Sequence, residues 1–238
     1  MITEYKINWS VPGNIGYFIS TNETGNSKGK YKHANFSNQV GEGSKNVESN
    51  INELKTMHGL NDISFMNQTH SNTVLRVSKG HTYLDCDAMF TEDKSTSCAV
   101  LTADCIPILV TESSGRMIGC IHAGWRGLQS KIIENFFSKF KSISKSDFRV
   151  LLGPCISAQN YEVSNEIFCQ FSNYSERFRK NKSGNYYMDL RYIACDILNE
   201  LGITNVTISK SCTYNDNFYS YRKDNTTGRF VSLIWFKK

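Results

Sequence analysis

No apolar run in this 238-residue sequence is long enough to span a bilayer: the stretch 98–110 is interrupted by Asp104, and 231–236 is far too short. The amino-terminal MITEYKINWS carries Glu4 and Lys6 and leads into no apolar core, so an export signal is not expected. The eight cysteines form no CxxC pair and sit mostly within apolar runs, which argues against the dense disulfide framework of a small secreted domain. They are expected to be reduced thiols packed as small hydrophobes in a cytoplasmic protein. Basic blocks are also missing. The 27 Lys and Arg against 22 Asp and Glu give a net charge of +5 that is scattered along the chain, so neither a nucleic acid nor a membrane is an expected partner. No internal repeat is evident, and the only linker-like stretch is the Gly-, Asn- and Ser-rich segment 21–30, read as one long loop.

What is present is enough bulky apolar material to offset the entropy of ordering the chain. Hydrophobic residues make up 39% and aromatics 12%, so residues 1–238 are expected to form a single folded domain. Strand-like runs recur at 64–66, 74–77, 88–91, 99–102, 106–111, 117–122, 149–153, 206–209 and 231–236. Helical periodicity is clearest over 128–140, where Ile132, Ile133, Phe136, Phe137 and Phe140 share a face, and over 190–201, with Ile193, Ile197, Leu198 and Leu201. Strands and helices mixed in this way predict an α/β sandwich around a largely buried sheet.

Three segments carry residues suited to chemistry. In the first, an apolar strand ends at His122 and passes through a Gly-bounded turn, Gly124-Trp-Arg-Gly127, into the helix read from Leu128. The glycines allow close backbone approach, free N–H groups in the first helical turn attract anions, and Arg126 adds a planar charged fork. In the second, Leu101-Thr-Ala-Asp-Cys-Ile-Pro, a buried strand delivers Asp104 and Cys105 to its end, with Pro107 expected to fix a bend. In the third, His70 lies just past a strand in Asn67-Gln-Thr-His-Ser. His70, Cys105 and His122 are far apart in sequence and match no compact metal motif. Two imidazoles and a thiolate from three strand ends nevertheless suit a tetrahedral Zn²⁺ with an open fourth position. His33, His58 and His81 read as surface residues. Asp85-Cys-Asp87 reads as a strand-entry turn, with a ligand or an orienting partner as the less favoured role.

These segments, together with Asp87-Ala-Met-Phe-Thr, Leu152-Gly-Pro-Cys-Ile, Tyr161-Glu-Val, Cys212-Thr and Phe218-Tyr-Ser-Tyr-Arg, resemble the purine nucleoside phosphorylase/laccase-domain family. That family is also called multicopper polyphenol oxidoreductase and peptidoglycan-editing factor. The likeness runs from about Tyr17 to the carboxyl terminus, and HAGWRG combined with TADC carries most of it. The resemblance implies a layered α/β/β/α sandwich with mixed sheets, related to Cys-His hydrolase-like toxin domains, and metal ligands at His70, Cys105 and His122. It also implies purine nucleosides (adenosine, inosine, 5′-methylthioadenosine) and phosphate as substrates, with adenosine deamination as a further activity. Catalytic roles then fall on His70, Cys105, His122 and Arg126.

One departure stands out: Asn22 occupies the place of an arginine usual in the family, which would shift phosphate binding towards Arg126, Arg222 or the loop residues Lys28 and Lys30. Two other functions use the same residues. A Cys–His amide hydrolase editing peptidoglycan precursors would take Cys105 as nucleophile and His70 or His122 as base. A copper-dependent polyphenol oxidase is disfavoured, because five histidines with no His-x-His pair cannot build a trinuclear copper cluster, although a single Cu²⁺ in place of Zn²⁺ is compatible with the ligand types. The nucleobase-deaminase signature, His-x-Glu with Pro-Cys-x-x-Cys, is absent.

Overall fold

The computed structural model describes residues 1–237. Two sheets form its centre. A four-stranded sheet runs in the order Ile15–Ile19, Phe230–Phe236, Thr96–Thr102, Asp62–Ser64. A six-stranded sheet runs in the order Val206–Ile208, Phe148–Leu152, Ile106–Glu112, Ile118–Ala123, Ala88–Thr91, Val74–Arg76. Both mix parallel and antiparallel pairs. Smaller sheets pair Met66–Asn67 with Leu84–Asp85, and Tyr186–Met188 with Glu162–Val163 and Phe178–Lys180.

The period-two alternation of strand side chains sorts the apolar residues into layers. Between the sheets lie Val100, Ile234, Leu109, Ile118, Cys120 and Leu151. Their sequence neighbours Ala99, Leu101, Val231 and Leu233 point outward to meet Leu54 of the helix Ser44–His58. On the far side, Ile106, Ile108, Val110 and Ile121 point outward to Phe136, Ile193 and Ile197 of the helices Ile132–Phe137 and Leu190–Glu200. Helix, sheet, sheet and helix follow one another, which is the layered order the resemblance implied.

Several local expectations need correction. The 128–140 helix is two short helices, Trp125–Gln129 and Ile132–Phe137, separated by Lys131 in the left-handed region at φ 69°. The face named for it, Ile132 to Phe137, is buried against the sheet. The 64–66 strand is divided at Phe65, its first part joining the four-stranded sheet and its second pairing with Leu84–Asp85. Pro107 makes no bend, because it lies within a strand opposite His122; the chain bends at 103–105, with Asp104 at φ 98°. The longest helix, Ser44–His58, has only Val47, Asn50 and Leu54 fully buried, so its apolar signal is thin. His58, at its end, is no surface residue: its ring lies between Phe18 and Trp235, and burial lowers its pKa.

Gly119 shows how closely the 132–137 helix seats on the sheet. A Cβ there would come within 2.6 Å of Phe136 Cζ and 2.8 Å of the Met89 carbonyl oxygen. Gly119→Ala is therefore expected to destabilise the protein by about 1–3 kcal/mol through overpacking, read as a lower midpoint in denaturant unfolding. An unchanged midpoint would mean that helix and sheet separate more easily than this packing implies.

Candidate functional site

The turn 103–105 carries the chain out of the four-stranded sheet and directly into the six-stranded one. Cys105 is thus held at the seam between the sheets. Beside it, His122 is the penultimate residue of Ile118–Ala123 and is 4% exposed. His70 comes from the loop after Met66–Asn67, at φ 61°. One ligand atom from each of His70, Cys105 and His122 lies within 4.8 Å of the other two, and no other such group of three occurs among the described residues. The two imidazole centroids are 4.7 Å apart, and His70 Nε2 is 3.8 Å from Cys105 Sγ. Nitrogen and sulfur ligands on one tetrahedral zinc are about 3.5 Å apart, so the spacing and the donor set both fit a single metal ion.

One buried carboxylate organises this cluster. Asp87 Oδ1 accepts from His122 Nδ1 at 2.7 Å and from the His70 backbone N–H at 3.0 Å. Asp87 Oδ2 accepts from the Thr69 and Ser71 backbone N–H groups and from the Ser71 hydroxyl. The His122 Nδ1 contact turns its Nε2 towards Cys105, the arrangement in which a carboxylate fixes the tautomer of a metal-ligating histidine. Asp87 therefore takes the orienting role that the reading as a plain strand-entry turn had set aside. Its carboxylate pattern is invisible in sequence, since its partners lie at 69–71 and 122.

The electrostatics follow from the same contacts. Burial would raise the Asp87 carboxyl, but the hydrogen bond and charge of His122, with Ser71, hold it at about 2. Burial would lower His122, but the adjacent Cys105 thiolate and the Asp87 hydrogen bond raise it to about 9. Burial would raise the Cys105 thiol, but His122 and then His70 bring it down to about 6. Without a metal, Cys105 and His122 thus form a thiolate–imidazolium pair at neutral pH.

Gly124 makes this closeness achievable. A Cβ at that position would lie 2.8 Å from Cys105 Sγ and 3.0 Å from His70 Cδ2. The glycine was read as admitting a ligand, but what it admits is the thiol and imidazole of its own chain.

A cavity of about 510 Å³ opens over the cluster, with Trp125, Arg126, Tyr161, Arg222 and Arg229 on its walls. Arg126 is thus brought to the same cavity, its guanidinium 4.4 Å from the centroid of the Trp125 ring. The helix that carries it starts at Trp125, not Leu128, and spans five residues. Asn22 is not on the cavity wall, and neither are Lys28 and Lys30, which are exposed on the 21–30 loop. Sequence reasoning did not single out Arg229 or Tyr161 for the cavity; the Tyr161 and Arg222 motifs entered only through the resemblance.

Comparison with known proteins gives a consistent picture. The family model described as multi-copper polyphenol oxidoreductase laccase matches residues 16–237. A Haemophilus influenzae protein named purine nucleoside phosphorylase is 36% identical over 97% of this chain and 98% of its own length. An Escherichia coli protein named purine nucleoside phosphorylase YfiH is 31% identical over 95% of this chain and 96% of its own length. Among solved structures, a Neisseria meningitidis protein superposes with a TM-score of 0.93 at 32% identity, covering 99% of each chain. No helix of the described residues is long and apolar enough to cross a membrane. This chain accordingly belongs to the multi-copper polyphenol oxidoreductase laccase family, and its Haemophilus influenzae and Escherichia coli relatives carry the name purine nucleoside phosphorylase.

Proposed function

We propose that this protein is a zinc-dependent purine nucleoside phosphorylase of the cytoplasm, acting on adenosine, inosine and 5′-methylthioadenosine. The observation that carries the reading is the convergence of His70, Cys105 and His122 at the base of a cavity that also presents Arg126 and aromatic rings. His70, Cys105 and His122 would hold the metal, and the Asp87 contact to Nδ1 would keep His122 in the ligating tautomer. Zinc bound there would supply Lewis acidity towards a substrate oxygen. Trp125 and Tyr161 offer faces against which a purine can stack. In the reaction, a phosphate oxygen bonds to the anomeric carbon as the bond to the purine nitrogen breaks. The electron pair leaves with the base, which takes up the proton that the attacking hydrogen phosphate loses. Arg126 balances the negative charge of the phosphate. Deamination of adenosine to inosine is a secondary activity of the same cavity.

A second reading is favoured by one observation, the depressed Cys105 pKa beside a raised His122. Such a pair is also what a Cys–His amide hydrolase requires, with Cys105 as nucleophile. Copper oxidase chemistry has no comparable support, because a single three-residue group is present among the described residues.

Two experiments follow. In metal-free protein, Cys105 alkylation followed by peptide mass spectrometry should rise with pH around a midpoint near 6. Asp87→Asn removes the anion that supports the His122 charge, so the midpoint should move upward, towards an ordinary thiol. A wild-type midpoint above 8 would contradict the ion pair. In metal-loaded protein, adenosine should yield adenine and ribose 1-phosphate only when phosphate is added, and Cys105→Ala should abolish the release. If adenine never forms while zinc is retained, the phosphorylase reading fails and the amide hydrolase takes its place.

A further inference from the structure

The cavity above the His70–Cys105–His122 cluster presents three guanidinium groups, and among the described residues none of them pairs with a carboxylate. Asp104, the only acidic residue on the wall among the described residues, is already committed. Its Oδ1 accepts from the Thr213 hydroxyl at 2.7 Å and its Oδ2 from the Arg222 backbone N–H at 2.6 Å.

Each guanidinium is positioned by neutral groups instead. Arg126 stacks on Trp125, and Arg222 lies 4.9 Å from the Tyr161 ring centroid while donating to the Glu162 carbonyl oxygen at 2.9 Å. Arg229 is the least exposed of the three. Its Nη1 donates to the Thr227 and Gly228 carbonyl oxygens, both at 3.0 Å, and its backbone N–H donates to Asn35 Oδ1 at 2.8 Å. Among the described residues, its Nε and Nη2 find no acceptor. Burial lowers the Arg229 pKa from its usual value, which marks a cation placed where water compensates it poorly. A half-buried guanidinium with one edge anchored and the other unsatisfied is costly unless a ligand completes it. The free edge, Nε and Nη2, is the pair of donors that grips two oxygens of an oxyanion.

We infer that Arg229, with Arg126 and Arg222, forms a phosphate-binding subsite facing the His70–Cys105–His122 cluster. Arg229 supplies its two-pronged grip, and the occupant is a tetrahedral phosphate. The inference deepens the phosphorylase reading and rests on it for the choice of free phosphate. The same chemistry could recognise a phosphoryl group carried on a nucleoside, and the experiment separates these sources.

Binding of inorganic phosphate, and separately of adenosine 5′-monophosphate, would be measured by calorimetry on zinc-loaded wild type, Arg229→Gln and Arg229→Lys. Turnover would be measured in parallel with adenosine and phosphate varied independently. The expected result is saturable phosphate binding in wild type, weakened about tenfold or more in Arg229→Gln and by a smaller factor in Arg229→Lys. The KM for phosphate should rise by a similar factor, with the KM for adenosine changed by less than about threefold. Arg229→Lys keeps the charge and most of the volume, so it still reports on the fork if Arg229→Gln does not fold. Tight binding of the monophosphate with none of free phosphate would assign the subsite to a nucleotide. Phosphate binding that depends on Arg229 without adenine release would keep the subsite and remove the phosphorylase reading. Phosphate-dependent adenine release with an unchanged phosphate KM in both variants would keep that reading and overturn the subsite. Absence of binding of either ligand to wild type would overturn it as well.

Discussion

The Asp87 carboxylate is the contact on which the rest of the site depends. It accepts hydrogen bonds from the backbone at 69, 70 and 71, from the Ser71 hydroxyl and from His122 Nδ1. A buried carboxylate can be ionised only if its desolvation is offset, and here the donors that offset it are the groups that must be placed. The loop bearing His70 is drawn to the end of the strand bearing His122, and the imidazole of His122 is locked with Nε2 facing Cys105. In the metal-free site the charge then propagates outward: Asp87 supports the His122 cation, and that cation supports the Cys105 thiolate.

The two-sheet architecture supplies the remaining constraint. Cys105 lies on the short crossing at 103–105 between a strand of one sheet and a strand of the other, so its position is set by both sheets at once. The crossing is held tightly. Asp104 adopts a positive φ of 98° while its side chain ties to Thr213 and to the Arg222 backbone, and its carbonyl oxygen accepts from Ile156. Such a conformation costs a non-glycine residue energy and persists where surrounding contacts over-determine it. Gly124, with no Cβ, leaves room for the thiol and the His70 ring. A cavity with a cationic wall over such a cluster suits an anionic reactant next to a neutral one, the combination phosphorolysis needs.

Much of this was legible in the sequence where a signal is local. The strands 88–91, 96–102, 106–112 and 118–123 announce themselves as runs of mostly buried apolar residues; Cys105 stands between two of them, His122 near the end of another, and His70 just past the short strand Met66–Asn67. What was not legible depends on contacts across the fold. The Ser44–His58 helix buries a narrow stripe, so its periodicity is faint against many polar residues. The break at Lys131 interrupts an apolar face without interrupting its pattern. Asp87 reads as a turn residue until His122 and the 69–71 backbone are brought to it, and Arg229 carries no signal in the sequence until Trp125, Tyr161 and Arg222 close a cavity beside it.

One zinc ion shared by His70, Cys105 and His122 is what we propose for this site. X-ray absorption at the zinc edge on purified protein reads those ligands. The predicted result is stoichiometric zinc with one sulfur at about 2.3 Å and two imidazole nitrogens at about 2.0–2.1 Å, the sulfur shell vanishing in Cys105→Ala. A metal-free protein, or a first shell with no sulfur, would contradict it.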